Sequence, residues 1–328
     1  MHYEEKCPKI EHIFGTDVRY EKGDDIMAYE LNGKLVIGVS TRALFDLSFE
    51  DALFEREGVS AFCNYQLEHE HDLLKPGPGF GLIRALLNVN HLPGFENRVE
   101  VIIMSRNSAD SSLRVFHSIH EYGLNITRAV LAGGASLAPY LEAFETDLFL
   151  SADENDVQKA IDSGIAAGIV CADGVHTYEE SRMPDCIRIA FDGDAVLFSD
   201  ASERIFQEKG LHAFEQNELV NASNPMGEGP FARFLKALSD LQREFPPECA
   251  PIRTALVTSR SAPAHERVIR TLRAWNVRID EAFFLGGISK KEVLKAFGAQ
   301  IFFDDQPAHT MQAAAVVPTA RVPYKNSA

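Results

Sequence analysis

The sequence predicts an α/β fold with a largely parallel sheet, arranged as two tandem copies. Two observations carry this prediction: strand-like apolar runs alternate with helical patterns, and the succession of those segments repeats. The strand-like runs are "KLVIGVS" from 34, "RVEVIIMS" from 98, "AVLAGG" from 129, "CIRIAF" from 186, "RTALVTS" from 253, "AFFLGG" from 282 and "QIFFDD" from 300. Between them, "SSLRVFHSIHEYG" and "ERVIRTLRAWN" carry apolar residues at three- and four-residue spacing, the period of an amphipathic helix.

The repeat runs the length of the chain. "VIIMSRNSADSSLRVFHSIHEYGLNITRAVLAGGAS" lies beside "ALVTSRSAPAHERVIRTLRAWNVRIDEAFFLGGIS" almost without gaps, and "TDLFLSAD" matches "AQIFFDDQ". The turns before helices recur too, as "GPGFGLIRALL" and "GEGPFARFLKAL". An offset of about 151–154 positions holds throughout, as a tandem duplication requires. The boundary is expected near "SRMPDC" (181–186), giving domains 1–183 and 184–328. The plainer alternative is one continuous α/β domain whose segments mimic one another.

Bulk composition sets the class. With 45% hydrophobic and 24% charged residues the chain reads as a soluble globular protein. No apolar run reaches the roughly 20 residues that span a bilayer, and "MHYEEKCPKIEHIFG" has no signal-peptide core. A cytoplasmic location is expected. The net charge of −16 argues against nucleic-acid polymers and anionic membranes as partners. A small anionic substrate stays open, because a local cation reverses the field. Cys7, Cys63, Cys171, Cys186 and Cys249 are odd in number and scattered, so they read as reduced thiols.

The two copies differ where chemistry would sit. By the offset, Val39 stands opposite Asp192 and Thr41 opposite Asp194. Met104 stands opposite Thr258, Leu137 opposite Lys290, and Ser151 and Ala152 opposite Asp304 and Asp305. The second half looks equipped to react and the first looks like a retired copy.

In that second half, Asp192/Asp194, Thr258, Lys290 and Asp304/Asp305 each end or follow an apolar run. Ligands of open α/β sheets bind beyond the carboxyl ends of the strands, so these groups should share one mouth. Four carboxylates need a counter-ion, and an all-oxygen set suits Mg²⁺. The expected ligands are drawn from Asp192, Asp194, Asp304 and Asp305, with Asp304 preferred of the last pair. For phosphoryl transfer Asp192 would be the nucleophile and Asp194 the proton donor and acceptor. Thr258 would bind a phosphoryl oxygen, with Ser259 its rival, and Lys290 would neutralise charge, with Lys291 its rival. Ser259 and Arg260 are further candidates for phosphate binding.

This order of motifs resembles the haloacid dehalogenase-like phosphohydrolases, whose signature is D-x-D, a strand-end Ser/Thr, a Lys and a final acidic pair. "RIAFDGDAVLFSDASERI", "RTALVTSRSA", "LRAW" and "IFFDDQ" are similar to the cytosolic 5′-nucleotidases of the AMP-preferring type I class. Upstream, "VSTRALFDL" and "LFLSADENDVQKAIDSGIAA" carry the same likeness, so it covers nearly the whole chain. The resemblance implies two Rossmann-like domains and Mg²⁺-dependent hydrolysis of nucleoside 5′-monophosphates through an aspartyl phosphate. It puts nucleophile and acid/base on Asp192 and Asp194, phosphate binding on Thr258 and Lys290, and metal binding on Asp304 and Asp305. Another small phosphate ester as substrate, or a nucleotide sensor without turnover, are the alternatives. Self-association into a homo-oligomer is compatible with a duplicated pair.

Three other features are placed by the same reasoning. "GASLA" around Ser136 imitates a nucleophile elbow, but the repeat sets it opposite "GISKK", a strand-to-helix turn. "EHEHD" (68–72) reads as a solvated polar segment, because His69 and His71 would not share a helix face. Residues 200–250 are expected to form an inserted cap, helical around "FARFLKALSDLQREF". Phe198, Phe214, Phe231 and Phe234 are there to stack on a base or to fill the core, and "KPGPGFG" (75–81) is expected to border the pocket.

Overall fold

Largely apolar runs three to seven residues long form the strands of the main sheet, and their order positions the site. The computed structural model describes residues 29–171, 186–246 and 249–325, so most of the linker expected at 181–186 lies outside the described residues. The first-half strands are β1 (Leu35–Val39), β2 (Phe45–Asp46), β3 (Lys75–Pro76), β4 (Val99–Ser105), β5 (Arg128–Leu131), β6 (Leu148–Ser151) and β7 (Ala166–Val170). The second half supplies β8 (Ile187–Phe191), β9 (Ile252–Thr258), β10 (Glu281–Phe284), β11 (Ile301–Asp304) and β12 (Thr319–Arg321). Strands β2 and β3 form a small antiparallel ribbon. The other ten make one sheet in the order β10-β9-β8-β11-β12-β7-β6-β1-β4-β5.

Every neighbouring pair in that sheet is parallel except β12 with β7, which run antiparallel where the two halves meet. Gly168 makes the seam close. A Cβ there would stand 2.8 Å from the Ala320 Cβ and 3.2 Å from the Phe303 ring. Within each half the strands lie across the sheet as third, second, first, fourth, fifth in chain order. This is a Rossmann-like order, and its direction reverses between the first and fourth strands, where a crevice opens. In the second half that crevice lies between β8 and β11.

Strands β1, β4, β6 and β11 are buried along their whole length, as parallel strands covered on both faces must be. Under the β8/β11 crevice, Phe191 stacks on Phe303 at 5.6 Å and Phe231 leans on Phe303 at 4.6 Å. Each of these fully buried rings contributes about 1.5–3 kcal/mol by leaving water, and together they fix the two strand ends.

Part of the segment expected as a cap, 200–250, packs on the sheet. Helix Ala232–Arg243 turns Phe234, Leu235, Leu238 and Leu241 inward, and Gln242 Nε2 donates to the Ile252 carbonyl at 3.1 Å. It is a crossover helix packed on the sheet, because its apolar residues recur on one face. Phe198, Phe231 and Phe234 are fully buried and are core side chains. What stands off the sheet is the helical segment Ala201–Val220, bent at Gly210, whose φ is 78°. The first half has a similar pair, helices Ser48–Glu57 and Val59–Glu68, joined at Gly58 with φ 84°. Segment 75–81 packs against the short helix Thr41–Leu44, with Gly77 N–H and Gly79 N–H donating to the Leu44 and Ala43 carbonyls. No helix among the described residues is long and apolar enough to cross a membrane. Their four cysteines are free thiols.

Candidate active site

Asp192 follows β8 and its backbone N–H donates to the Phe303 carbonyl at 2.8 Å, tying it to β11. Asp304 ends β11, with Asp305 next. Their carboxylates, all buried, bring one oxygen each to within 4.8 Å of one another. Among the described residues no other group of acids, histidines and cysteines has this geometry.

Lys290 opens helix Lys290–Phe297, with Ser289 as its N-cap. Its Nζ lies 2.7 Å from Asp192 Oδ1 and 2.6 Å from Asp304 Oδ2, bridging the two strands. Burial pushes the Asp192 carboxyl well up from the ordinary carboxylate range against the pull of Lys290. Burial would lower the lysine, but Asp192 and Asp304 prevail and raise it. Asp304 behaves oppositely to Asp192. Burial alone would raise its pKa, yet His309 and Lys290 hold it low, with His309 Nδ1 3.3 Å away. Asp305 is pushed up to about 6, chiefly by burial, while the Tyr324 hydroxyl donates to its Oδ2 at 2.6 Å.

Thr258 ends β9, and its hydroxyl accepts from the Arg260 N–H at 3.2 Å. A Cβ built on Gly193 would stand 3.3 Å from that hydroxyl, so Thr258 borders the turn carrying the two aspartates. Ser259 is exposed and Lys291 only half-buried. Asp194 is held apart from the three-carboxylate group. The Arg260 guanidinium forks both its oxygens and reaches on to Glu218, a wholly buried residue of the Ala201–Val220 segment. Arg260, expected on phosphate, is thus committed to two carboxylates. Burial opposes both charges of this pair; the carboxylates raise the arginine, and Arg260, Ser202 and Arg267 together overcome burial to lower Glu218.

Sequence reasoning missed Glu218, Arg267, His309 and Tyr324. His309 had a weak signal, in the first turn of the helix that follows the acidic pair. Glu218, on a mostly exposed helix, had none. The rejected features lie as expected: Ser136 is in the turn before helix Ala138–Ala143, and "EHEHD" runs off the end of helix Val59–Glu68 into a largely exposed turn.

Carboxylates at a strand switch point, a bridging lysine and a strand-end threonine form an oxygen-rich cradle fit for a hard cation and a phosphoryl group. The sequence matches the 5′-nucleotidase family over residues 27–328. The chain belongs to that family. It is also similar to human cytosolic 5′-nucleotidase 1B, 39% identical over 285 residues that make up 84% of this chain. Those residues span 46% of the human protein, so the chain corresponds to about half of that relative. Asp192, Asp194, Thr258, Lys290, Asp304 and Asp305 all lie inside the region matched to the family.

Proposed function

We propose that this chain hydrolyses nucleoside 5′-monophosphates, AMP-like ones first, to nucleoside and phosphate. The carrying observation is the meeting of Asp192, Asp304 and Asp305 with Lys290 at the β8/β11 switch point. Family membership supplies the substrate class.

In this reading Asp192 attacks phosphorus through one carboxylate oxygen. The phosphorus–ester bond breaks, and the leaving oxygen takes a proton from Asp194. Water then attacks the phosphoryl group on Asp192 and gives a proton back to Asp194. The Asp192–phosphorus bond breaks and phosphate departs. Thr258 donates to a phosphoryl oxygen, and Lys290 balances charge on the group in flight. The three clustered carboxylates offer the hard oxygen donors that suit Mg²⁺; Asp192, Asp304 and Asp305 would hold it and Asp194 would be left to move protons. When bound, Mg²⁺ would screen carboxylate from phosphate and polarise the phosphoryl oxygen.

We further infer a duplicated chain, with a retired half at 1–183 and a reactive half at 184–328. The shared strand succession and the two glycine-bent helical segments support that reading.

Phosphate release across a panel of nucleotides and sugar phosphates tests the substrate class. Turnover of a chirally labelled nucleotide tests the route, with net retention expected from two in-line displacements. Inversion would leave Asp192 without its nucleophilic role.

A further inference from the structure

The first half holds a cavity of about 490 Å³ at the carboxyl ends of its own strands, beyond the paired β1 and β6 where the strand order reverses. This volume is in the range of small-molecule sites, about 300–1,000 Å³. Its floor carries Thr41 and Ser151 beside the buried Ser105, and Leu137 lies at its edge. By the repeat these replace Asp194, Asp304, Ser259 and Lys290, so neither the chelating carboxylates nor the lysine is present. The opposite wall is apolar and comes from the glycine-bent helix pair. Phe54 and Phe62 meet there edge to face at 6.2 Å.

The electrostatics decide what this cavity would hold. Arg42 is paired with Asp51 at 2.5 Å, and Arg106 is paired with Asp153 and, at 3.1 Å, with Asp156. Both guanidiniums are spent on carboxylates, so a phosphate dianion would find repulsion without a spare cation. The opposite need is visible. Asp156 lines the cavity at 5% exposure, and its Oδ1 has no hydrogen-bond partner. A buried acceptor left unpaired costs free energy that a donor would recover. A planar ring against the aromatic wall and hydroxyl or amino donors toward Asp156 satisfy both faces.

We propose that this cavity is a second, non-catalytic binding site for a neutral, donor-bearing heterocycle of the nucleoside class. The assignment rests on the cavity alone and not on the reading of the second-half site. Without carboxylates at the positions of Asp192, Asp304 and Asp305, it binds such a ligand without chemistry.

Titration calorimetry with adenosine as the probe tests this on the full chain. One adenosine is expected to bind with the same affinity in the wild type and in Asp192→Asn. Asp156→Ala should weaken it by about tenfold or more. Cys63→Trp, which fills the cavity from a half-buried position, should abolish it. Phe54→Ala, at a partly exposed site, weakens binding without threatening the fold, and thermal unfolding confirms that each variant is native. Absence of adenosine binding would overturn the proposal. So would binding that responds to Asp192→Asn and ignores the cavity variants. Tighter cavity binding of AMP or inorganic phosphate than of adenosine would overturn the neutral assignment.

Discussion

Arg260 grips Asp194 with two parallel hydrogen bonds, Nε to Oδ2 at 2.8 Å and Nη2 to Oδ1 at 2.6 Å, across 66 residues of sequence. Its remaining arm, Nη1, reaches Glu218 Oε2 at 2.5 Å. Glu218 in turn accepts from Ser202, Asn217 and Arg267. Both oxygens of Asp194 accept hydrogen bonds from this fork, which fixes where the carboxylate points. Delivering a proton requires the fork to open on one side.

The first prediction is structural. Arg260→Ala leaves the partly buried Asp194 and the fully buried Glu218 without their common partner, and breaking a buried pair typically costs about 3–5 kcal/mol. Denaturant unfolding of the variant should show that loss, with Arg260→Lys falling between it and the wild type. A change no larger than the roughly 1 kcal/mol of a surface pair would remove Arg260 from the stability of this site.

The second concerns proton transfer. Asp194→Asn keeps an acceptor for Arg260 but cannot carry the proton, so kcat for AMP should fall by about 10²–10⁴-fold with KM little changed. Steady-state kinetics on the purified variant gives the answer. If kcat stays within tenfold of wild type, some other group moves the proton.

The third addresses the metal. With EDTA, phosphate release should cease, and added Mg²⁺ should restore it. Calorimetric titration of Mg²⁺ should show binding in the wild type and at least about a tenfold loss in Asp304→Asn or Asp305→Asn. Full turnover in EDTA, with no metal found by elemental analysis, would refute the metal-dependent reading.

The fourth is a pH effect far from the chemistry. Burial raises the Asp147 carboxyl above its ordinary 3.8, more than the hydrogen bond it accepts from the Val36 N–H lowers it. A raised folded-state pKa means the folded chain holds this proton more tightly than the unfolded chain. Its stabilising contribution is therefore complete below pH 3.8 and is lost as pH rises through the raised folded value. Asp147→Asn retains an acceptor and cannot ionise. Its stability relative to wild type should improve from pH 3.5 to pH 7 in urea titrations. A difference that stays constant with pH would show that Asp147 does not titrate differently on folding.

Much of this protein was legible before folding. Strands such as "VIIMS" and "IFFD" read as continuous apolar runs because both faces of a parallel sheet are covered, and burial leaves its mark on each residue in turn. The ends of those runs marked Asp192, Thr258 and Asp304, and the turn after "AFFLGG" marked Lys290, because a strand's carboxyl end is where side chains can leave the core. The sequence also carried the internal similarity that set each candidate site residue beside a neutral counterpart.

Other features depended on which elements became neighbours. Helix Ala232–Arg243 has the apolar face of any amphipathic helix, and only packing decided that it would cover the sheet and not the mouth. The antiparallel seam between β7 and β12 joins segments about 150 residues apart, and nothing local encodes such a pairing. Glu218 read as one more charge on a solvated helix until Arg260 and Arg267 closed on it. Local periodicity reports how a residue meets its own turn or strand. The charge partners of Asp192, Asp194 and Asp156 arise from distances across the sheet that exist only once the chain has folded.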